Sequence, residues 1–163
     1  MQAHDLPAVL ALQARCYAPD FHEPHDAFAS KLRASPHSCW VVSGDDGLLA
    51  YLVCLPIEGD ALPRLHASTW QHPAQPDWLY LHDMAVAPES RGGGASKLLL
   101  GYAFAFARAL ALPRAGLIAV QGTVPYWVKQ GFSPVAAGNQ VAPDKLASFG
   151  EDARFMQRAI PKT

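Results

Sequence analysis

The sequence is short of charge. Only 17% of its 163 residues are Asp, Glu, Lys or Arg, against about 25% in an average soluble domain. Thirteen basic residues set against 14 acidic ones leave a net charge of −1. No cations are spare to neutralise a phosphate backbone, which excludes a sequence-independent nucleic-acid binder. Disorder is excluded as well, because half of the residues are hydrophobic and net charge is low. The longest apolar stretches, such as Leu48 to Ile57, fall far short of the ~20 residues that span a bilayer. Cysteine is scarce: Cys16, Cys39 and Cys54 cannot all pair within one chain, and their spacing matches no zinc pattern. They read as free thiols in a reducing compartment. Nor does Met1 to Leu10 carry the basic and then apolar segments of a secretory signal. These absences point to a cytoplasmic protein with no metal and with neither membrane nor nucleic acid as partner.

What the chain does have is proline and periodicity. Fourteen prolines exceed the usual share of about 5%. A chain of this length makes one domain, residues 1–163, able to bury roughly two thirds of its unfolded surface. Asp5 as N-cap and Pro7 open a helix through Tyr17, with Leu6, Val9, Leu10 and Cys16 near one face. Pro19 and Pro24 make Tyr17–Pro24 a loop, and a second helix spans His25 to Ala34. Cys39–Val42 and Leu48–Leu55 read as strands joined by the turn Ser43–Gly47. Residues 56–77 hold Pro56, Pro63, Pro73 and Pro76 without a regular pattern; a connection that long is a functional segment as readily as a surface loop. Trp78–Val86 is a strand. A helix follows over Ala95–Leu110, its apolar side marked by Leu98, Leu99, Tyr102, Phe106 and Leu110. Leu117–Val120 is a short buried strand, and a helix capped by Thr123 runs through Gln130 to a stop at Gly131. Phe132–Ala136 and Arg154–Ile160 close the sheet of a single mixed α/β domain.

Between the third strand and the third helix stands Arg91–Gly92–Gly93–Gly94. Glycines at such a turn let backbone N–H groups converge, and the helix N-terminus adds unpaired donors and a partial positive charge. The combination suits an anion, phosphate above all, with Arg91 and Lys97 at its edges. It is not a dinucleotide fingerprint, because Lys97 stands where G-x-G-x-x-G needs its third glycine. It is not a P-loop either, because no Gly–Lys pair followed by Ser or Thr occurs. Three glycines in a row are elsewhere a flexible loop more often than a site; the strand before and the helix after favour the anion site here.

Three separated motifs resemble those of the GCN5-related N-acetyltransferases (GNAT): the strand end Met84–Ala85–Val86, the turn Arg91-x-x-Gly94-x-Ser96, and the run Tyr126–Trp127–Val128–Lys129–Gln130–Gly131–Phe132. The resemblance covers roughly residues 5 to 136. It implies a single-domain GNAT-like fold with a mixed, mostly antiparallel sheet flanked by helices. It also implies acetyl-CoA as co-substrate, no metal, and an amine as acceptor. On this resemblance the backbone at Met84, Ala85 and Val86 meets the pantetheine arm. The amides of Arg91, Gly92, Gly93, Gly94, Ala95 and Ser96 cradle the pyrophosphate, and Gln121 and Trp127 join the cofactor-binding set. Family members have a strand before the first helix; none is readable ahead of Asp5.

An amine acceptor is mostly protonated at pH 7 and must lose a proton before attacking a thioester. On a regular strand Tyr80, His82, Met84 and Val86 share one face, and Leu81, Asp83 and Ala85 the other. If Met84 and Val86 lie against the donor, His82 lies beside the acceptor and is the candidate base. Asp83 is expected to point away and anchor a neighbouring strand or loop. The arylalkylamine N-acetyltransferases look similar here, with paired histidines at the positions of Tyr80 and His82; this sequence keeps the second. The family's tyrosine acid corresponds to Trp127, whose indole cannot act as an acid at pH 7. Tyr126, about 100° away around the helix, is the candidate acid, with water as the alternative. Phe21, Trp70 and Tyr80 are candidate walls of an acceptor site between the Tyr17–Pro24 loop and residues 56–77, where Asp20, Glu23, Glu58 and Asp60 could attract an ammonium. No cysteine sits in a nucleophile arrangement, so direct attack in a ternary complex is expected. The expected protein acetylates a small-molecule primary amine, as a monomer or homodimer. The alternatives are a protein N-terminal or lysine acetyltransferase and, in a different class, a CoA-binding sensor or interaction module that has lost turnover.

Overall fold

Eight consecutive residues, Ala50 to Ile57, are buried, a pattern that requires cover on both faces of a strand. The computed structural model describes residues 1–136, 141 and 143–161. Within them β1 (Cys39–Gly44), β2 (Gly47–Ile57), β3 (Trp78–Val86), β4 (Arg114–Ala119), β5 (Ser133–Pro134) and β6 (Arg154–Ala159) form one sheet in the order β1-β2-β3-β4-β6-β5. All neighbours are antiparallel except β3 and β4, so the sheet is mixed and mostly antiparallel, as expected. The helices are α1 (Leu6–Cys16), α2 (His25–Ala34), α3 (Ala95–Ala109), α4 (Val124–Lys129) and α5 (Pro143–Ala147).

Each face of the sheet has its own core. Leu6, Val9 and Leu12 of α1 and Phe28 and Leu32 of α2 cluster with Tyr51, Val53, Leu55, Trp78 and Tyr80. On the opposite face Ala95, Leu99, Ala103 and Ala107 of α3 cluster with Leu52, Cys54, Leu79, Leu81 and Leu117. That α3 stripe corrects the sequence reading. Residues four apart share a helix face, and here three of the four are alanines, so the helix lies close to the sheet. Leu98, Tyr102 and Leu110, expected on the buried side, are about half exposed. Tyr102 and Phe106 lie instead beside Trp40 of the edge strand, at 6.4 and 6.0 Å between ring centroids.

The boundaries of α2 and β3 are those expected. Asp5 holds the N-cap position of α1, as expected, but makes no side-chain cap bond: its carboxylate accepts from the Gln2 N–H at 2.6 Å, within a 3-10 turn over Ala3–Asp5. β4 starts at Arg114, earlier than read, and Phe132–Ala136 yields only the two-residue β5, whose Pro134 has no N–H to extend a ladder. Short α5 has no counterpart in the sequence reading.

Two features of β3 shape the space beside it. Val53 pairs with Asp83 but Cys54 with Leu81, so two residues of β3 oppose one of β2 and His82 is the extra one, a β-bulge. The bulge reverses the side-chain alternation. Tyr80 and Ala85 both belong to the core under α1 and α2, while Leu81, Met84 and Val86 lie on the α3 side. The single face expected for Tyr80, His82, Met84 and Val86 is therefore broken at His82. In addition, β3 and β4 pair only at Leu79–Ala115 and Tyr80–Gly116. Beyond that point they part, and among the described residues the edge of β3 from Leu81 to Val86 has no strand beside it.

Gly116 sits where the strands are still joined, and a Cβ there would lie 2.9 Å from the Trp78 ring and 3.2 Å from that of Phe155. Gly116→Ala is expected to lower the free energy of unfolding by about 1–3 kcal/mol through overpacking. Gly101→Ala, in α3 with open space around the new methyl, is expected to raise it by about 0.5–1 kcal/mol. Urea titrations of the two variants read both signs.

Candidate active site

The parting of β3 and β4 opens two connected cavities. The larger, a groove of about 500 Å³, is lined by Met84, Ala85 and Val86 from β3, by Ser90, Arg91, Gly92 and Gly94 from the turn, by Ala95 and Ser96 from α3, and by Cys16 and Tyr17 from α1 and the loop after it. Gly92 and Gly94 have φ of 84° and 89°, left-handed values that glycine adopts without strain. No side chain caps α3, which leaves its first-turn N–H groups available to a ligand. Gly93 departs from the expected cradle: its N–H donates to Ser90 O at 3.2 Å, and it does not line the groove. On the strand side the Tyr17 hydroxyl donates to Met84 O at 2.7 Å, and Cys16 Sγ lies 3.4 Å from Val86 O.

The second cavity is a chamber of about 140 Å³ beyond the parting strands. Its walls include Phe21, Glu23, Leu65, Tyr80, His82, Asp83, Leu117, Trp127 and Phe149, while Tyr17, Met84, Gln121, Thr123 and Tyr126 line both spaces. Gln121 has φ of 52°, strained for a residue with a Cβ. Its side-chain amide ties the segment after β4 to the end of α1, accepting from Ala18 N–H at 2.9 Å and reaching Cys16 O at 3.5 Å.

The bulge turns His82 toward the loop before α2. Its Nε2 lies 2.7 Å from Glu23 Oε2, and its Nδ1 is buried without a hydrogen-bond partner among the described residues. The Glu23 carboxylate also accepts from Lys31 Nζ at 3.0 and 3.1 Å and from the His66 N–H at 3.0 Å. Gln13 holds the Glu23 backbone from both sides, accepting from its N–H at 2.9 Å and donating to its carbonyl at 3.0 Å. Glu23 and Lys31 are fully buried. Burial opposes ionisation of Glu23, but the facing charges and hydrogen bonds of His82 and Lys31 outweigh it and hold the carboxyl down to about 2. Sequence reasoning treated Glu23 only as one of several anions for an ammonium and missed Lys31. No spacing rule links a loop acid to a lysine eight residues on in the next helix.

Asp83 also departs from expectation. It does anchor to a neighbouring strand, accepting from the Tyr51 hydroxyl at 2.8 Å, but it lines the chamber, and Oδ1 has no partner among the described residues. Burial pushes its carboxyl up to about 6, against the lowering influence of His82 and the Tyr51 and Tyr17 hydroxyls. Glu23 and Asp83 are thus the acids that line the chamber, whereas Asp20, Glu58 and Asp60 are exposed. Phe21 and Tyr80 line the chamber. Trp70 does not: it packs near α2, its backbone N–H donating to Ser30 Oγ at 2.9 Å. Trp127 packs on Phe132 and Tyr126 and reaches the chamber rather than the groove. The hydroxyl of Tyr126 is buried with no partner among the described residues, at the junction of the two spaces.

The family model described as Acetyltransferase (GNAT) family matches residues 6–132, and the chain belongs to that family. Among curated proteins no sequence matches. Solved structures share the fold at low identity. The GphF GNAT-like decarboxylase in complex with isobutyryl-CoA is 16% identical, with a TM-score of 0.80 over 99% of this chain and 97% of its own. The loading GNATL domain of CurA from Lyngbya majuscula is 10% identical, at 0.79 over 98% and 95%. The ribosomal-protein-S18-alanine N-acetyltransferase from Escherichia coli is 17% identical, at 0.69 over 100% and 92%. The fold and family are those of acyl-CoA-dependent transferases, and the uncapped helix beside Gly92 and Gly94 fits the phosphates of that co-substrate. Among the described residues no helix is long and apolar enough to cross a membrane, and no cluster of His, Cys, Asp and Glu could hold a metal.

The raised carboxyl of Asp83 has a sign that can be checked. The folded state holds this proton more tightly than the unfolded chain, so the residue's contribution to stability falls as pH rises from about 4 to about 6. Asp83→Asn cannot ionise, so its stability relative to wild type is expected to be higher at pH 8 than at pH 4 by roughly 3 kcal/mol at most. Urea titrations at the two pH values measure that difference.

Proposed function

We propose that the protein transfers an acetyl group from acetyl-CoA to the primary amine of a small molecule by direct attack in a ternary complex. The observation that carries this reading is the junction of the two cavities. An anion-ready groove and a small chamber meet at Tyr126, with an imidazole and a carboxylate on the chamber side. When bound in the groove, acetyl-CoA supplies a thioester whose carbonyl carbon forms the new C–N bond as its C–S bond breaks. Gly92, Gly94 and the first turn of α3 hold the phosphates, and the β3 edge from Met84 to Val86 guides the arm. Asp83 attracts the ammonium of the acceptor, and His82 removes one proton from it. The second proton lost by the nitrogen balances the one taken up by the leaving sulfur, with the Tyr126 hydroxyl as donor at that position.

A small acceptor fits the chamber better than a peptide does. About 140 Å³ holds a compact amine, and the loop after α1 is tied down on two sides. Gln121 fastens it to the segment after β4, and His66 fastens it to the segment before β3, its ring 3.0 Å from Asp20 O. The aromatic walls Phe21, Tyr80 and Trp127 favour an acceptor that is partly apolar. The likeness to the arylalkylamine type adds nothing to this, since the family comparisons do not support it and only one of its paired histidines is present.

Thiol release on a panel of small amines and peptides tests the acceptor class. Turnover is expected on small amines, and turnover on peptides alone would sink the proposal. His82→Ala is expected to lower kcat by about 10²- to 10⁴-fold with CoA binding retained. Gly92→Asp is expected to weaken CoA binding about tenfold or more, or at least 1.4 kcal/mol, by calorimetry.

A further inference from the structure

What holds His82 comes from outside its own strand. The ionised Glu23 carboxylate can only accept, so the 2.7 Å contact requires the proton on Nε2 of the imidazole. The neutral ring then carries its lone pair on Nδ1, the atom that is buried without a partner in a side chain lining the chamber. The other polar groups around the ring are accounted for. Asp83 takes the Tyr51 hydroxyl, Tyr17 donates to Met84 O, and Tyr80 offers its ring at 5.6 Å. His66 reaches Glu23 through its N–H and turns its ring to Asp20, while Tyr126 stands on α4 with its hydroxyl free. None of them takes Nδ1. Among the described residues Lys31, wholly buried, is the one cation on Glu23 besides any proton on His82. Burying such a pair gains little stability over apolar side chains of equal volume, so stability alone does not account for it.

We infer that Glu23 and Lys31 are positioning residues for proton transfer. Glu23 holds His82 as the Nε2–H tautomer with Nδ1 ready for the acceptor's ammonium, and Lys31 cancels the carboxylate so that it does not keep the imidazole protonated. The inference rests on His82 as the base. In the step it describes, one N–H bond of the ammonium breaks, the electron pair stays on that nitrogen, and the proton bonds to Nδ1. The resulting imidazolium keeps its Nε2–H on Glu23, and nothing is oxidised or reduced.

Two measurements test this. Nitrogen-15 NMR of the unliganded protein at pH 8, with His82→Gln identifying the signal, is expected to show the Nε2–H tautomer; an Nδ1–H tautomer overturns the inference. In profiles of kcat/KM against pH, Lys31→Met is expected to move the acidic limb up by about one unit or more, because an uncancelled carboxylate stabilises the imidazolium. Glu23→Gln is expected to move it down and to lower kcat about tenfold or more, with KM for the amine nearly unchanged. Should either single variant fail to fold, the neutral pair Glu23→Gln/Lys31→Met decides: a low kcat with a limb near the wild-type position is expected, and wild-type kcat overturns the inference. An unmoved limb in folded Lys31→Met, with His82→Gln inactive, defeats the positioning role alone. A His82→Gln enzyme with wild-type rates defeats the base assignment itself.

Discussion

The separation of β3 from β4 is the constraint on which the rest depends. Two parallel strands that stayed paired would leave no room for a ligand between them. Here pairing stops after Tyr80 and Gly116, and the bulge at His82 follows at once. A bulge bends its strand and increases the local twist, so the same residue that is extra in the ladder lies at the start of the divergence. The groove, the chamber and the orientation of His82 all follow from that short stretch of backbone. The two cores to either side keep it rigid: each face of β3 is packed, one under α1 and α2 and the other under α3.

Charge inside the site is arranged in two nearby but different ways. Glu23 is surrounded by donors and is held ionised, whereas Asp83 is buried with one oxygen unanswered and its carboxyl is raised. Two carboxylates pushed in opposite directions by their surroundings are a common way to divide labour in an active site. Here Glu23 lies 2.7 Å from the imidazole, and in the proposed reaction Asp83 is the one that meets the acceptor's ammonium.

The parts legible in the sequence were those with local causes. The glycine turn, the helix after it and the third strand each carry their own signal in a few neighbouring residues, and prolines at both ends bracket α2. The bulge carried none: no glycine or proline marks His82, and the extra residue exists only relative to its partner strand. Strict alternation therefore put His82 with Met84 and sent Asp83 away from the site. Hydrophobicity also misjudged α3, because leucine and tyrosine are more apolar in area than alanine, yet close approach to a sheet favours the smaller side chain. Glu23 and Lys31 were beyond reach for another reason. The meeting of Glu23 with His82 spans 59 residues and requires the loop after α1 to fold over β3.

That same loop bears on how the molecule behaves among other proteins. An unpaired strand edge is a template on which foreign strands can add, the usual beginning of edge-to-edge aggregation. The open edge of β3 is roofed instead. Tyr17 sits on the carbonyl of Met84 and Cys16 on that of Val86, and Gln121 fastens the roof from the other side. With those two carbonyls already taken, the edge offers fewer free acceptors to a strand from another molecule.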